Sequence, residues 1–241
     1  MSASERGAGR AGERCVHGRR SSPGQGQGQG QGHGHGQGPG QGQSQGSDLR
    51  ESILAATAGL LEEQRFDDLS VARVLDAAGV SRGSFYFYFD SKHDVLAELV
   101  RRATAQGMEA AEPWLARPAD KIAALRAGTT SGARRWRENA PILRAIVENW
   151  QSDPRLGELW LTQMQSFTSA TVAQISADPE AMTYLAGQDL EAVASGLTWL
   201  SERLYYLAAC EIPPFGEDDA LIGTLVHIWA SALYGQAANQ E

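Results

Sequence analysis

Residues 69 to 99 read LSVARVLDAAGVSRGSFYFYFDSKHDVLAEL, and this stretch decides how the rest of the chain is read. Val71, Val74, Leu75 and Ala78 recur at helical spacing, and Gly79 follows where a left-handed residue would close a short helix. Val80 then turns inward, Ser81 is placed to accept the free N–H groups of a second short helix, and Phe85 and Phe89, four apart, face the core. The outward face carries Arg82, Gly83, Ser84, Tyr86, Phe87 and Tyr88, rich in donors and flat rings, where Gly83 adds no bulk against a phosphate backbone. Ser70 and Arg73 stand at the start of the first helix. Ser91 and Asp94 make a capping box for a third, longer helix, whose first residue, Lys92, is expected to meet a phosphate. Two short helices around a glycine turn, the second presenting its N-terminal residues, form a helix-turn-helix suited to the major groove. A core strand made of FYFYF is the rival reading, but SRGS before it and SKHD after it supply helix caps at both ends.

Composition limits what surrounds this unit. The chain has 241 residues and a formal net charge of −8, which opposes sequence-blind coating of DNA, so the basic residues have to be placed where they act. Residues 1–47 are dominated by Gly, Gln, Ser and Arg and hold almost no apolar side chain, so they are expected to form a disordered arm. Five arginines against two glutamates put that arm at +3 and leave the remainder at −11. His33 and His35 are too few for a metal site, and no metal or other cofactor is expected. The two cysteines, Cys15 and Cys210, form no disulfide framework, and a reducing cytoplasm is the expected compartment. No apolar run reaches the roughly 18 residues that span a bilayer, and no membrane association is expected.

Upstream, Asp48 and Glu51 offer a capping box to a support helix bearing Ile53, Ala56, Leu60 and Leu61, which should end near Arg65. Downstream, the helix that begins near Lys92 is expected to run past Arg101 and Arg102 toward Pro113. From Pro118 the chain reads as successive helices over 120–137, 141–151 and 154–175. Leu190, Val193, Leu197, Leu200, Leu204 and Leu207 then stripe one long helix, and Leu221, Leu225, Ile228, Ala232 and Leu233 another. Such a pair at a chain's end suits a four-helix homodimer interface. The expected organisation is all-α, with a helix-turn-helix domain over 48–92 and a helical ligand-binding and dimerisation domain over 93–241. Six tryptophans lie in the helical part; Trp114, Trp150 and Trp199 are assigned to the core, and Trp136, Trp160 and Trp229 to a pocket. No nucleophile, base and orienting group stand together in sequence, so no catalytic residue is assigned.

The segment VSRGSFYFYFDSKHDVLAEL resembles the DNA-binding head of the TetR family of transcriptional repressors. RLGELWLTQMQSF and SERLYYLAACEIPPFGEDDALIGTLVHIWASALYG are similar to a branch of that family with a long, mainly apolar ligand tunnel. The resemblance implies a homodimeric repressor that holds a palindromic double-stranded DNA operator and is released by a small lipophilic effector. It also implies that Trp136, Trp160, Phe167, Thr171, Thr198, Ser201, Glu202, Tyr205, Tyr206 and Trp229 line the pocket. Leu125 and Gly132 stand where that branch has aromatic residues, Thr198 and Ser201 where it has asparagines, Gly83 where it has a proline and Arg73 where it has an acid. A lining of this kind favours an uncharged, elongated ligand oriented by Glu202, Thr198 and Ser201. Two rivals stay open: a small-molecule-binding or enzymatic helical protein that does not read DNA, and a regulator that has no ligand.

Overall fold

A computed structural model describes residues 41–105 and 119–235. They form ten helices and no strand: α1 Gln41–Glu63, α2 Val71–Ala78, α3 Arg82–Tyr88, α4 Lys92–Thr104, α5 Lys121–Glu138, α6 Ala140–Asn149, α7 Pro154–Ser176, α8 Pro179–Tyr184, α9 Leu190–Ala209 and α10 Asp218–Tyr234. None of the described helices is long and apolar enough to cross a membrane.

The small helices are set by their ends. Ser70 Oγ accepts the Arg73 N–H at 3.3 Å to start α2, and Gly79, at φ 65°, closes it in the left-handed region. Ser81 Oγ accepts the Ser84 N–H at 3.0 Å to start α3. Ser91 Oγ accepts the Asp94 N–H at 3.3 Å to start α4. Between these caps the apolar residues lock the head: Ile53, Val74, Phe85 and Val95 are fully buried, together with Phe66, Leu69 and Phe89. Burial of each such side chain contributes roughly 1.5–3 kcal/mol.

The start of α1 differs from the sequence expectation. The helix begins at Gln41, so Asp48 lies inside it and is no N-cap. Glu51, expected to complete a capping box there, instead meets Arg102 of α4 through two hydrogen bonds of 2.6 and 2.7 Å. With the helix already running through Asp48 there is no free N–H for Glu51 to cap, and the planar guanidinium matches both of its carboxylate oxygens at once. Most of the Gly/Gln-rich arm and the continuation of α4 toward Pro113, with Trp114, fall outside the described residues.

One core runs from the head into the body. Ile146 of α6 and Leu156 and Trp160 of α7 belong to the same buried cluster as Phe85 and Val100. α4 packs on α1, α6 and α7. At its start, Arg155 of α7 donates to Asp94 Oδ1 and to Ser91 Oγ at 3.1 Å. α9 lies against α5, α6, α7 and α10, and α10 against α5. Of the two leucine stripes, Leu197, Leu204, Leu221, Leu225 and Leu233 are buried within the chain itself. Val193, Leu200, Leu207 and Ile228 stay partly exposed.

Candidate functional site

The outward face of the head is built as its residues dictate. Phe85 turns in and is fully buried, which rotates its neighbours out: Tyr86 is 44% and Phe87 79% exposed. The Phe87 ring meets the edge of Tyr88, at 4.9 Å between centroids, on this otherwise open face. Arg82 lies over the Tyr86 ring at 5.7 Å, so the ring orients the guanidinium. Ser70, Arg73, Ser81, Arg82 and Gly83 are exposed around it, with Ser84 partly so. Ser81 and Ser84 share a hydroxyl contact of 2.9 Å. Tyr88 departs from the expected outward face: it is partly buried and packs on the head core, one edge against Phe87.

Lys92 departs further. Its ammonium is not free for phosphate but donates to the carbonyls of Phe66 at 2.8 Å, Asp67 at 3.1 Å and Leu69 at 2.8 Å. Three protons thus meet three carbonyls in the turn between α1 and α2, of which Phe66 O also accepts the Leu69 N–H at 3.1 Å. Lys92 therefore acts as the clamp of that turn. Partial burial pushes its pKa below the usual lysine value, with Asp67 and Asp68 opposing.

The second site is a cavity of about 200 Å³ inside the body. Its wall includes Trp136, Trp160, Phe167, Thr171, Thr198, Ser201, Glu202, Tyr205 and Trp229, so nearly all the residues assigned to a pocket come together on one void. Tyr206 does not. One residue along α9 from Tyr205 is a rotation of about 100°, and the Tyr206 hydroxyl donates instead to Glu148 Oε1 on α6 at 2.9 Å. Glu148 in turn pairs with Arg65, just past the end of α1, at 3.2 Å. Tyr206 thus belongs to a polar chain from α9 to the head.

Several lining residues were not assigned from sequence: Ala103, Thr104, Gly128, Thr129, Arg135, Leu143, Met164 and Ala170, with Leu125 and Gly132 noted only as departures. The signal was present in 125, 128, 129, 132 and 136, which fall on one helical face where small residues alternate with large ones. Gly132 has a specific reason. A Cβ there would lie 2.5 Å from the Tyr205 hydroxyl, which donates to Thr129 O at 3.2 Å while its ring stacks on Trp136 at 6.0 Å. Tyr205 so occupies space that a larger residue at 132 would take. Burial pushes its phenol pKa far above the ordinary value.

Polar groups of the wall divide into committed and uncommitted ones. Thr198 donates to Ala194 O at 2.9 Å, and Ser201 donates to Leu197 O at 2.8 Å while accepting the Trp229 N–H at 2.9 Å. The Trp160 indole N–H is buried with no hydrogen-bond partner. Glu202 is 5% exposed, and burial raises its pKa, against a weaker opposing effect from Arg203. Trp150 and Trp199, assigned to the core, are partly buried: they pack against it and on each other, ring centroids 6.4 Å apart.

Residues 53–99 match the family model described as bacterial regulatory proteins, tetR family, and residues 125–235 match that of the C-terminal domain of the transcriptional regulator EthR. The HTH-type transcriptional regulator EthR of Mycolicibacterium smegmatis is 34% identical over 197 residues, 79% of this chain and 88% of that protein. This chain belongs to the TetR family of transcriptional regulators. The EthR of Mycobacterium tuberculosis strain H37Rv is 30% identical over 193 residues, 79% of this chain and 89% of its own length. A crystal structure of a TetR-like transcriptional regulator from Rhodococcus sp. RHA1 superposes with a TM-score of 0.58 at 17% identity, covering 78% of this chain and 97% of that one, a likeness of fold. In this TetR-family regulator the matched N-terminal model spans the capped helices of the head, and the matched C-terminal model spans most of the cavity wall. The relatives are named as regulators and not as enzymes.

Proposed function

We propose that this TetR-family regulator is a repressor that binds a palindromic operator as a homodimer and leaves it when a small lipophilic effector fills the cavity. One observation carries the reading: α4 is shared between the two sites. Its first turn follows the recognition helix and holds the clamp Lys92, and its last turn, through Ala103 and Thr104, forms part of the cavity wall. A ligand that moves the last turn of a rigid helix moves the first, and the recognition helices of two protomers must sit about one turn of duplex apart to read both half-sites. The cavity favours a ligand because its wall is mostly aromatic and aliphatic yet, among the described residues, keeps a buried Trp160 N–H without an acceptor and holds the buried acid Glu202. The partly exposed Val193, Leu200, Leu207 and Ile228 on α9 and α10 offer an apolar face to the partner protomer.

Selection of duplexes from a random pool, followed by sedimentation of the complex, tests this. Expected is a palindromic site bound by two protomers, with affinity lost when a lipophilic compound that raises the melting temperature is added. A monomer that binds DNA without symmetry, or a protein whose DNA affinity ignores every compound that stabilises it, contradicts the proposal.

A further inference from the structure

On the cavity wall, Glu202 is an acid whose placement the fold does not explain. It lies on α9 at 5% exposure, an acid side chain on a largely aromatic wall, and among the described residues no donor hydrogen-bonds to its carboxyl. The nearest cation, Arg203 Nε, is 3.9 Å from Oε2, and its own side chain is half exposed and lies over the Tyr206 ring at 5.0 Å. A buried acid without a close partner costs stability whether it is held charged or neutral. The neighbouring hydroxyls give no relief, because Thr198 and Ser201 have both donated their protons to carbonyls of their own helix. The α9 wall therefore offers the void acceptors only. Trp136, Trp160, Phe167, Tyr205 and Trp229 line the same cavity, and the faces of such rings attract a cation.

We propose that the effector is a lipophilic amine, its ammonium seated against the Glu202 carboxylate among these rings and its hydrocarbon part filling the apolar remainder of the cavity. This rests on reading the cavity as the effector site, and it replaces the uncharged ligand expected from composition of the lining alone. A neutral alcohol can donate one hydrogen bond to Glu202 but leaves its charge unbalanced. A carboxylate ligand meets like charge there, although Arg135 of α5 also reaches the wall.

The test compares n-octylamine, octan-1-ol and octanoate, three probes of one length, on the full chain by quenching of tryptophan fluorescence and by thermal shift. Octylamine is expected to bind at least tenfold tighter than the alcohol, with octanoate weakest. In Glu202→Gln, which keeps the shape and removes the charge, the amine's advantage is expected to vanish while the alcohol's affinity stays within about twofold. The wild-type comparison stands even if that variant does not fold. Equal binding of amine and alcohol, tighter binding of octanoate, or an amine preference that survives in Glu202→Gln overturns the inference and leaves the cavity as an effector site for another ligand class. Saturable binding by none of the three removes the effector site itself, and this inference with it.

Discussion

Replacing Lys92 by methionine keeps the aliphatic stem and deletes the ammonium that clamps the turn between α1 and α2. The carbonyls of Phe66, Asp67 and Leu69 then lose its donation, and Phe66 O keeps the Leu69 N–H at 3.1 Å. A hydrogen bond from a charged donor contributes about 1.5–3 kcal/mol, but the three share one ammonium whose own desolvation offsets part of the gain, so a net loss of about 2–3 kcal/mol is expected. For a folded part of this size, 1 kcal/mol shifts the melting temperature by about 2–4 °C, which gives a fall of roughly 4–12 °C. Differential scanning fluorimetry measures that fall, and operator binding by fluorescence anisotropy across a salt series measures the other possibility. If the ammonium met a phosphate, its loss would leave stability unchanged and reduce the salt slope by about 1. An unchanged melting temperature with a flatter salt dependence would therefore refute the clamp.

Other substitutions separate the remaining roles. Arg82→Ala should cost roughly 1–3 kcal/mol of binding on the selected site and little on unrelated duplex, in competition assays, if the guanidinium over Tyr86 reads a base edge; equal loss on both would assign it to phosphate. Tyr206→Phe removes the 2.9 Å bond to Glu148 and should lower stability by about 0.5–1.5 kcal/mol in urea titration, while halving or more the DNA release produced by a bound probe; full release would take Tyr206 out of the path to Arg65. Gly132→Ala should lower stability by about 1 kcal/mol, the clash with the stacked Tyr205 exceeding the helix propensity gained, and a stabilised variant would show that the ring yields freely.

How far the sequence could be read depends on the range of each interaction. Ser70, Ser81, Ser91 and Gly79 act within a few residues of themselves, so their caps follow from local spacing. Phe85 and Phe89 follow from helical periodicity. Lys92 was misplaced because its partners lie 23 to 26 residues upstream, and nothing in the local pattern shows that an exposed-looking lysine reaches back to them. Glu51 is a similar case, its carboxylate paired with Arg102, 51 residues away. The aromatic part of the cavity wall was legible through the family resemblance. Tyr206 was not, since two adjacent tyrosines on one helix point in directions that only the surrounding packing decides. The small residues of α5 were passed over because a wall facing a void and a wall facing a neighbouring helix have the same composition.

Coupling between the cavity and the head is best measured as reciprocal linkage: the affinity of a cavity-binding probe, taken from the octyl series, for the free protein and for the protein saturated with its selected operator duplex. If α4 transmits the occupied cavity to the recognition helices, the operator must weaken probe binding by the same factor, expected at about 5–150-fold, by which the probe weakens operator binding. A probe that binds free and operator-bound protein equally tightly would show that the two sites are independent and that α4 is no lever.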